Sequence, residues 1–288
     1  MEIQQLRYVC AVVETGSFSR AAERCQVAQP SLSQQVLKLE EDLGSKLFDR
    51  MGRSVRLTDA GRAFLPHARA VLSQVEAARS SVVEAGSSVR GRVSLGVIPT
   101  IAPYWMPRFT TYFAKQYPEA RLRILEDTTP VLLEGLRDLT IDFAILALPL
   151  RHKDLEIFPL RSEPIFAVLP KNHHYAAARS LSLKDLRGQP FVMLRDGHCF
   201  RDLSLEACSR ARVTPNIAFE SGQFRSLLGM VAAGVGVSLV PEMAIDRNAG
   251  CRYVRISDAR ATRTIVAAVR RGRSLNRLQQ AVLSKLKK

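Results

Sequence analysis

The sequence predicts an α/β protein with a helical head, on three observations. Residues 1–58 break into three short amphipathic stretches separated by tight-turn residues, followed by a basic strand-forming pair. Residues 59–90 carry one long apolar stripe at 3–4 spacing. From 91 to 288, short runs rich in Val, Ile and Leu alternate with amphipathic segments. That alternation builds parallel sheets with ligand clefts at the strand C-termini.

In the head, "EIQQLRYVCAVVETG" spaces Ile3, Leu6, Val9, Cys10 and Val13 along one helical face and stops at Gly16. Ser17 is placed to cap a second helix, "FSRAAERCQ", with Phe18, Ala21, Ala22 and Cys25 inward. After "VAQP", Pro30 suits a first helical turn, and Leu32, Val36, Leu39 and Leu43 form the inner stripe of a third helix that ends at Gly44. Three short helices, the third polar on its outer face, form a helix-turn-helix. "KLFDRMGRSVRLT" then reads as a two-stranded wing turning at Gly52. Thr58 or Asp59 caps the long helix, with Pro66 expected near its start, where a missing backbone donor costs least. A helix of this length needs a partner for its stripe, which predicts a dimer.

Beyond 91, "RVSLGVIP", "RLRILED", "DFAILAL", "IFAVLP", "PFVML" and "GVSLVP" read as strands. "PRFTTYFAKQYP", "VLLEGLRD", "FRSLLGMVAAG" and "CFRDLSLEACSRA" read as helices. The last of these places Cys199 at a helix N-terminus and Cys208 near its end.

The 288 residues carry a formal charge of +15, which favours an acidic partner. Residues 1–90 contribute only +2, and nine basic residues with no acid lie between Arg260 and Lys288. Net charge therefore does not locate a nucleic-acid site, and the basic tail reads as a solvated helix face. Nothing in the first ten residues resembles an export signal, and no apolar run is long enough to span a bilayer, so a cytoplasmic protein with no membrane role is expected. Five cysteines, at 10, 25, 199, 208 and 251, form no CxxC pair and no Cys/His cluster at zinc spacing, so no metal site is expected. Cys10 and Cys25 fall on inward stripes, Cys251 falls in a polar loop after Gly250, and His173 and His174 in a surface loop. Spacing alone leaves Cys199 and Cys208 open between buried core and a redox pair. No GxSxG elbow or HExxH pair is present, and the GxG of "GVGVSLV" lacks the setting of a nucleotide site.

The stretch "LRYVCAVVETGSFSRAAERCQVAQPSLSQQVLKLEEDLGSKLFDRMGRSVRLTDAG" closely resembles the N-terminal domain of LysR-type transcriptional regulators. The order of parts downstream agrees with that family over nearly the whole chain. The resemblance implies a winged helix-turn-helix at 1–58, a linker and dimerisation helix at 59–90, and a periplasmic-binding-protein-like effector domain at 91–288. The effector domain would comprise subdomains of about 91–161 plus 265–288 and about 162–264, with a cleft between them. Double-stranded promoter DNA, further copies of the chain as a dimer or tetramer, and RNA polymerase are the implied partners. Gln29, Pro30, Ser31, Ser33, Gln34 and Lys38 would face the DNA, with Arg50 and Arg53 of the wing on phosphates or a minor groove.

"DGHCFRD", with Cys208 nine residues after Cys199, resembles the corresponding segment of the OxyR-type peroxide sensors within the family. Thr100 in "VIPT", Thr129 in "EDTT" and Arg263 in "TRTI" extend the likeness; Ala218 departs from the histidine that several such sensors hold before the next phenylalanine. By this likeness Cys199 is the peroxide-reacting thiol and Cys208 the resolving one. Thr100, Thr129, His198, Arg201, Asp202 and Arg263 line or support the pocket. The reactive species is a thiolate, so Cys199 needs a lowered pKa. The helix N-terminus, Arg201 and Arg263 are expected to supply it. An unbroken helix separates the two Cα atoms by about 13.5 Å, against about 7 Å for a disulfide. Bridging would then require the helix to melt. The alternative within the same architecture is a small organic effector in the cleft near Thr100 and Thr129, with no role for the cysteines. A thiol peroxidase fits poorly, because the same helix blocks rapid closure; no enzyme activity and no cofactor are expected.

Overall fold

The computed structural model describes residues 1–51, 54–83, 91–150, 152–258 and 261–287. Its elements run α1 (Ile3–Thr15), α2 (Phe18–Cys25), α3 (Gln29–Leu43), β1 (Phe48–Met51), β2 (Ser54–Leu57) and α4 (Asp59–Val83). There follow β3 (Gly91–Val97), α5 (Ala102–Gln116), β4 (Ala120–Glu126), α6 (Thr129–Arg137), β5 (Phe143–Ala147) and β6 (Leu155–Pro170). The last part comprises β7 (Ser180–Leu181), β8 (Pro190–Leu194), α7 (Cys199–Arg210), β9 (Asn216–Ser221), α8 (Phe224–Ala232), β10 (Ser238–Pro241), β11 (Cys251–Ile256), β12 (Thr262–Arg270) and α9 (Arg277–Leu286). Single 3₁₀ turns lie at Leu183–Leu186 and Glu242–Ala244. Two compact units result, one carried by α1–α4 with the β1–β2 hairpin, the other by the strands and helices from β3 on.

In the first unit, Leu6, Val9, Val12, Ala21, Leu32, Val36 and Leu39 pack one core. Gly16 and Gly44 close α1 and α3 in the left-handed conformation, as turn residues there must. Glu40 is buried on the inner face of α3, and its Oε1 accepts the backbone N–H groups of Leu47 and Phe48 at 2.7 and 3.1 Å. That carboxylate ties the start of the wing to the third helix. Thr58 caps α4, its Oγ1 accepting from the Gly61 amide at 2.9 Å.

Three expectations for the head are corrected. Ile3 and Leu43 are exposed, at 45% and 39%; the inner stripes turn instead through Gln5, Tyr8 and Val12 in α1 and Glu40 in α3. Cys25 is only partly buried, because it sits in the last turn of α2 beside the chain reversal. Pro66 lies two turns inside α4 rather than at its start, since the helix already begins at Asp59. Residues 84–90 of the expected linker helix lie outside the described residues.

In the second unit the main sheet runs β4-β3-β5-β12-β6-β11-β7, with β10 pairing β6 off this path. The pairs β3–β4, β3–β5 and β8–β9 are parallel, while β12 and β6 run antiparallel to their partners, so the sheet is mixed rather than parallel throughout. β5 is buried along its whole length, as a strand covered on both faces must be. β6 changes company midway. From Leu155 to Pro164 it pairs with β12, and from Ile165 to Pro170 with β10 and β11. β8, α7, α8, β10, β11 and the second half of β6 share one core.

Two further expectations fail here. The basic tail is not a solvated helix face: residues Thr262–Arg270 form β12, Arg263 is wholly buried, and α9 buries Leu278, Val282 and Leu283. Cys251 is not in a loop but opens β11 opposite Pro170, where 8% of it is exposed.

Candidate functional site

The third helix presents its polar face as a unit. With Leu32, Val36 and Leu39 fully buried, the opposite side exposes Gln29, Pro30, Ser31, Gln34 and Lys38, while Ser33 sits half-buried on the flank. Ala28 precedes the helix and supplies no side-chain cap, which leaves first-turn amides able to face a phosphate. Arg50 belongs to the hairpin opposite Val55. Its side chain, and Arg53 altogether, lie outside the described residues.

The second candidate site gathers around the first turn of α7. Cys199 is the first residue of that helix, after His198 as its cap residue. The preceding loop needs Gly197, whose φ of 89° suits glycine alone and whose Cα faces the Thr128 methyl. This brings "DGHC" against the start of α6, where Thr129 lies close enough to Cys199 to favour its thiolate. The Thr129 Oγ1 is buried without a hydrogen-bond partner. From β12, Arg263 donates through Nη1 to Thr100 Oγ1 at 3.1 Å. Its guanidinium lies 5.5 Å from the centre of the Phe200 ring, and its charge acts on Cys199. Glu163, across the β6–β12 ladder from Arg263, accepts from its Nε and Nη2 at 2.8 and 2.6 Å. Both side chains are fully buried.

The structure thus brings Thr100, Thr129, His198, Cys199 and Arg263 together, and it reassigns two of the expected residues. Arg201 does not act on the thiol. It clamps the loop instead, binding Leu194 O at 2.7 Å, Glu220 at 2.6 Å and Asp196 at 2.8 Å. Asp202 points to solvent, and its charge raises the thiol pKa. The expected lowering of the Cys199 pKa is also overturned. Burial pushes the thiol up; Arg263, Thr129 and the helix-start amide pull it part of the way back. Cys208 lies on the same unbroken helix with no exposure, and burial, with the Asp258 carboxylate, pushes its thiol up to about 11. Both cysteines are free thiols. A cleft of about 510 Å³ opens beside this cluster, lined by Thr100, Tyr104, Leu194, Phe224, Ala244 and Asp246 among others.

Comparison with known proteins identifies the family. The profile described as "Bacterial regulatory helix-turn-helix protein, lysR family" matches residues 3–62, and the "LysR substrate binding domain" matches residues 86–288. The chain belongs to the LysR family of DNA-binding transcriptional regulators. This LysR-type regulator is 33% identical over 278 residues to the Escherichia coli "DNA-binding transcriptional dual regulator OxyR", covering 96% of this chain and 91% of that one. A cysteine-to-aspartate variant of full-length Pseudomonas aeruginosa OxyR is similar in structure, with a TM-score of 0.86, 32% identity, and coverage of 100% of this chain and 95% of that one. A cysteine-to-serine variant of Corynebacterium glutamicum OxyR with hydrogen peroxide bound gives a TM-score of 0.63 at 30% identity, covering 99% and 90%.

Among its described residues the LysR-type chain has no group of three or more His, Cys, Asp or Glu able to hold a metal, and no helix long and apolar enough to cross a membrane. The pocket holds a partly buried thiol, a buried threonine hydroxyl and a cation fixed by Glu163. His198 adds a titration. Burial, then the charge of Arg195, lowers its pKa below 6.5. The unfolded chain therefore binds a proton near that pH which the folded chain refuses, and stability present above it is lost as pH falls through it. The urea midpoint is expected to drop between about pH 7.5 and 5.5, and less so in His198→Gln. An identical drop in both proteins refutes this role for the imidazole.

Proposed function

We propose that this LysR-type regulator senses hydrogen peroxide through Cys199 and answers by forming a Cys199–Cys208 disulfide. The observation that carries the reading is the placement of Cys199 at the start of α7, between Thr129 and the charge of Arg263, with a second thiol later on the same helix. The names of the relatives support it, as does the peroxide-bound structure among them. The Cys199 thiolate attacks one peroxide oxygen, the O–O bond breaks, and the departing oxygen leaves as water after taking a proton. The resulting sulfenic acid is attacked by the Cys208 sulfur, and its hydroxyl leaves as a second water. A thiol reductant resets the pair. The protein is spent once per cycle and acts as a sensor rather than a peroxidase. It works in the cytoplasm as a dimer or tetramer on promoter DNA, with Gln29, Ser31, Gln34 and Lys38 toward the bases and phosphates, and it contacts RNA polymerase.

The 510 Å³ cleft favours a second reading, a small organic effector held beside Thr100 and Tyr104. One experiment separates the two. Reduced protein is treated with a few equivalents of hydrogen peroxide and its disulfides are mapped by peptide mass spectrometry, alongside Cys199→Ser. A Cys199–Cys208 bridge that forms rapidly and is absent from the variant is the expected result. Slow or scattered oxidation overturns the peroxide reading and leaves the cleft as the sensing site.

A further inference from the structure

Glu163 enters neither site by sequence, yet it is the carboxylate that holds Arg263, the cation acting on Cys199. It is 1% exposed. Its Oε1 takes two donors from Arg263, at 2.8 and 2.6 Å. Its Oε2 accepts the Met243 amide at 2.9 Å, at the 3₁₀ turn Glu242–Ala244. Two residues earlier on β6, Arg161 binds Glu242 at 2.8 Å, so the same strand grips that turn twice. Among the described residues, the other hydrogen bonds of Arg263 go to Thr100, through Oγ1 at 3.1 Å and the backbone oxygen at 3.5 Å. The guanidinium is therefore locked in position by one anion and one threonine.

We propose that Glu163 is a positioning residue for the thiol reaction: it fixes the Arg263 guanidinium at the Cys199 pocket and offsets much of its charge, which holds the sensor in an unreactive resting state. This rests on the reading of Cys199 as the reacting thiol. The charged and polar groups acting on Cys199 are Arg263 from β12, Thr129 from α6, Asp202 from α7 itself and the amide at the helix start. Arg263 is the one cation in that set, so whatever offsets Arg263 sets the balance between thiol and thiolate. A bare guanidinium at this position would favour the thiolate strongly. Burial remains the largest influence on Cys199, whose pKa stays above the ordinary thiol value, and the Glu163 carboxylate bonded to the same guanidinium opposes the pull of Arg263. Restraint of this kind suits a sensor that must ignore background oxidant and respond only when the dose rises.

The test uses full-length reduced protein and iodoacetamide, a probe that reports thiolate without needing peroxide, with alkylation of Cys199 followed by peptide mass spectrometry across pH. In Glu163→Gln the midpoint of the Cys199 profile is expected to fall by about one pH unit, giving about tenfold faster alkylation at neutral pH. Glu163→Asp keeps the charge but draws the carboxylate back by one methylene. It shifts the midpoint in the same direction by less, and decides the matter if Glu163→Gln does not fold. A folded variant of either kind whose midpoint equals or exceeds that of the wild type overturns the proposal, because a purely structural carboxylate would leave the profile in place or blunt it. Peroxide oxidation of the wild type, measured in parallel, tests the parent reading separately. A slow peroxide reaction with a shifted alkylation profile would reject the sensor and keep the role of Glu163.

Discussion

Arg263→Ala is expected to destabilise the second unit by about 3–5 kcal/mol, read as a large drop in the urea unfolding midpoint. No other single side chain in the site carries so many buried dependents. Arg263 and Glu163 are both fully buried, so removing the cation leaves a carboxylate with a single remaining donor, the Met243 amide. Thr100 loses its partner on the far side, and the Phe200 ring loses the cation lying against it. Breaking a buried pair costs far more than the pair contributes on balance, because the orphaned charge has no water to turn to. Arg263→Lys, which keeps the charge but not the fork that binds Glu163 twice, should lose less. A midpoint for Arg263→Ala within experimental error of the wild type would show that solvent reaches Glu163, contrary to its burial.

The second large effect concerns α7 on oxidation. The helix runs unbroken from Cys199 to Arg210. At 1.5 Å per residue the two Cα atoms are held about 13.5 Å apart, roughly twice what a disulfide tolerates. Cys208 has no exposure and sits in the same core as Phe200, Ala207 and Val213. A bridge therefore forms only if most of the helix unwinds and Cys208 leaves that core. Hydrogen exchange measured before and after stoichiometric peroxide should show amides over 203–210 losing at least about 100-fold protection in the bridged protein. The same oxidised sample should unfold at lower temperature than the reduced one. Bridged protein that retains its protection over 203–210 would sink the switch and call for a bridge between copies of the chain instead.

How much of this was legible before the structure depends on the element. The head was readable residue by residue, because three short helices bury one stripe each and glycines mark their ends. Ile3 and Leu43 slipped because they lie at the ends of their stripes, where the helix surface curves away from the core, and Cys25 because it sits in a last helical turn. β12 was hidden by composition, since a run with nine basic residues and no acid looks like a solvated face, although Ile265–Ala268 inside it are all fully buried. Arg263 was placed in the pocket by resemblance, but nothing in its neighbourhood named its counter-ion. Glu163 was overlooked because the strand was read only from Ile165 on, in "IFAVLP". The signal was parity: Glu163, Ile165 and Ala167 alternate with exposed or half-buried neighbours and are all buried, so an acid in that register had to find a cation. Arg201 was assigned to the thiol because spacing cannot tell which way a side chain in a first helical turn leans. Its guanidinium goes to Asp196 and Glu220.

The change of partners along β6 has a mechanical meaning. A single strand belongs to both lobes of the second unit, paired with β12 as far as Pro164 and with β10 and β11 from Ile165 onward. Twisting one lobe against the other loads that strand as an axle, and the torque concentrates where the pairing changes hands. Glu163 stands at that joint with its grip on Arg263, and opposite Leu160 the ladder already carries an irregularity between Ile265 and Val266. A rearrangement in the first turn of α7 therefore meets the shared strand at two places, through the Arg263–Glu163 pair at the joint and through the core that α7 shares with the second half of β6.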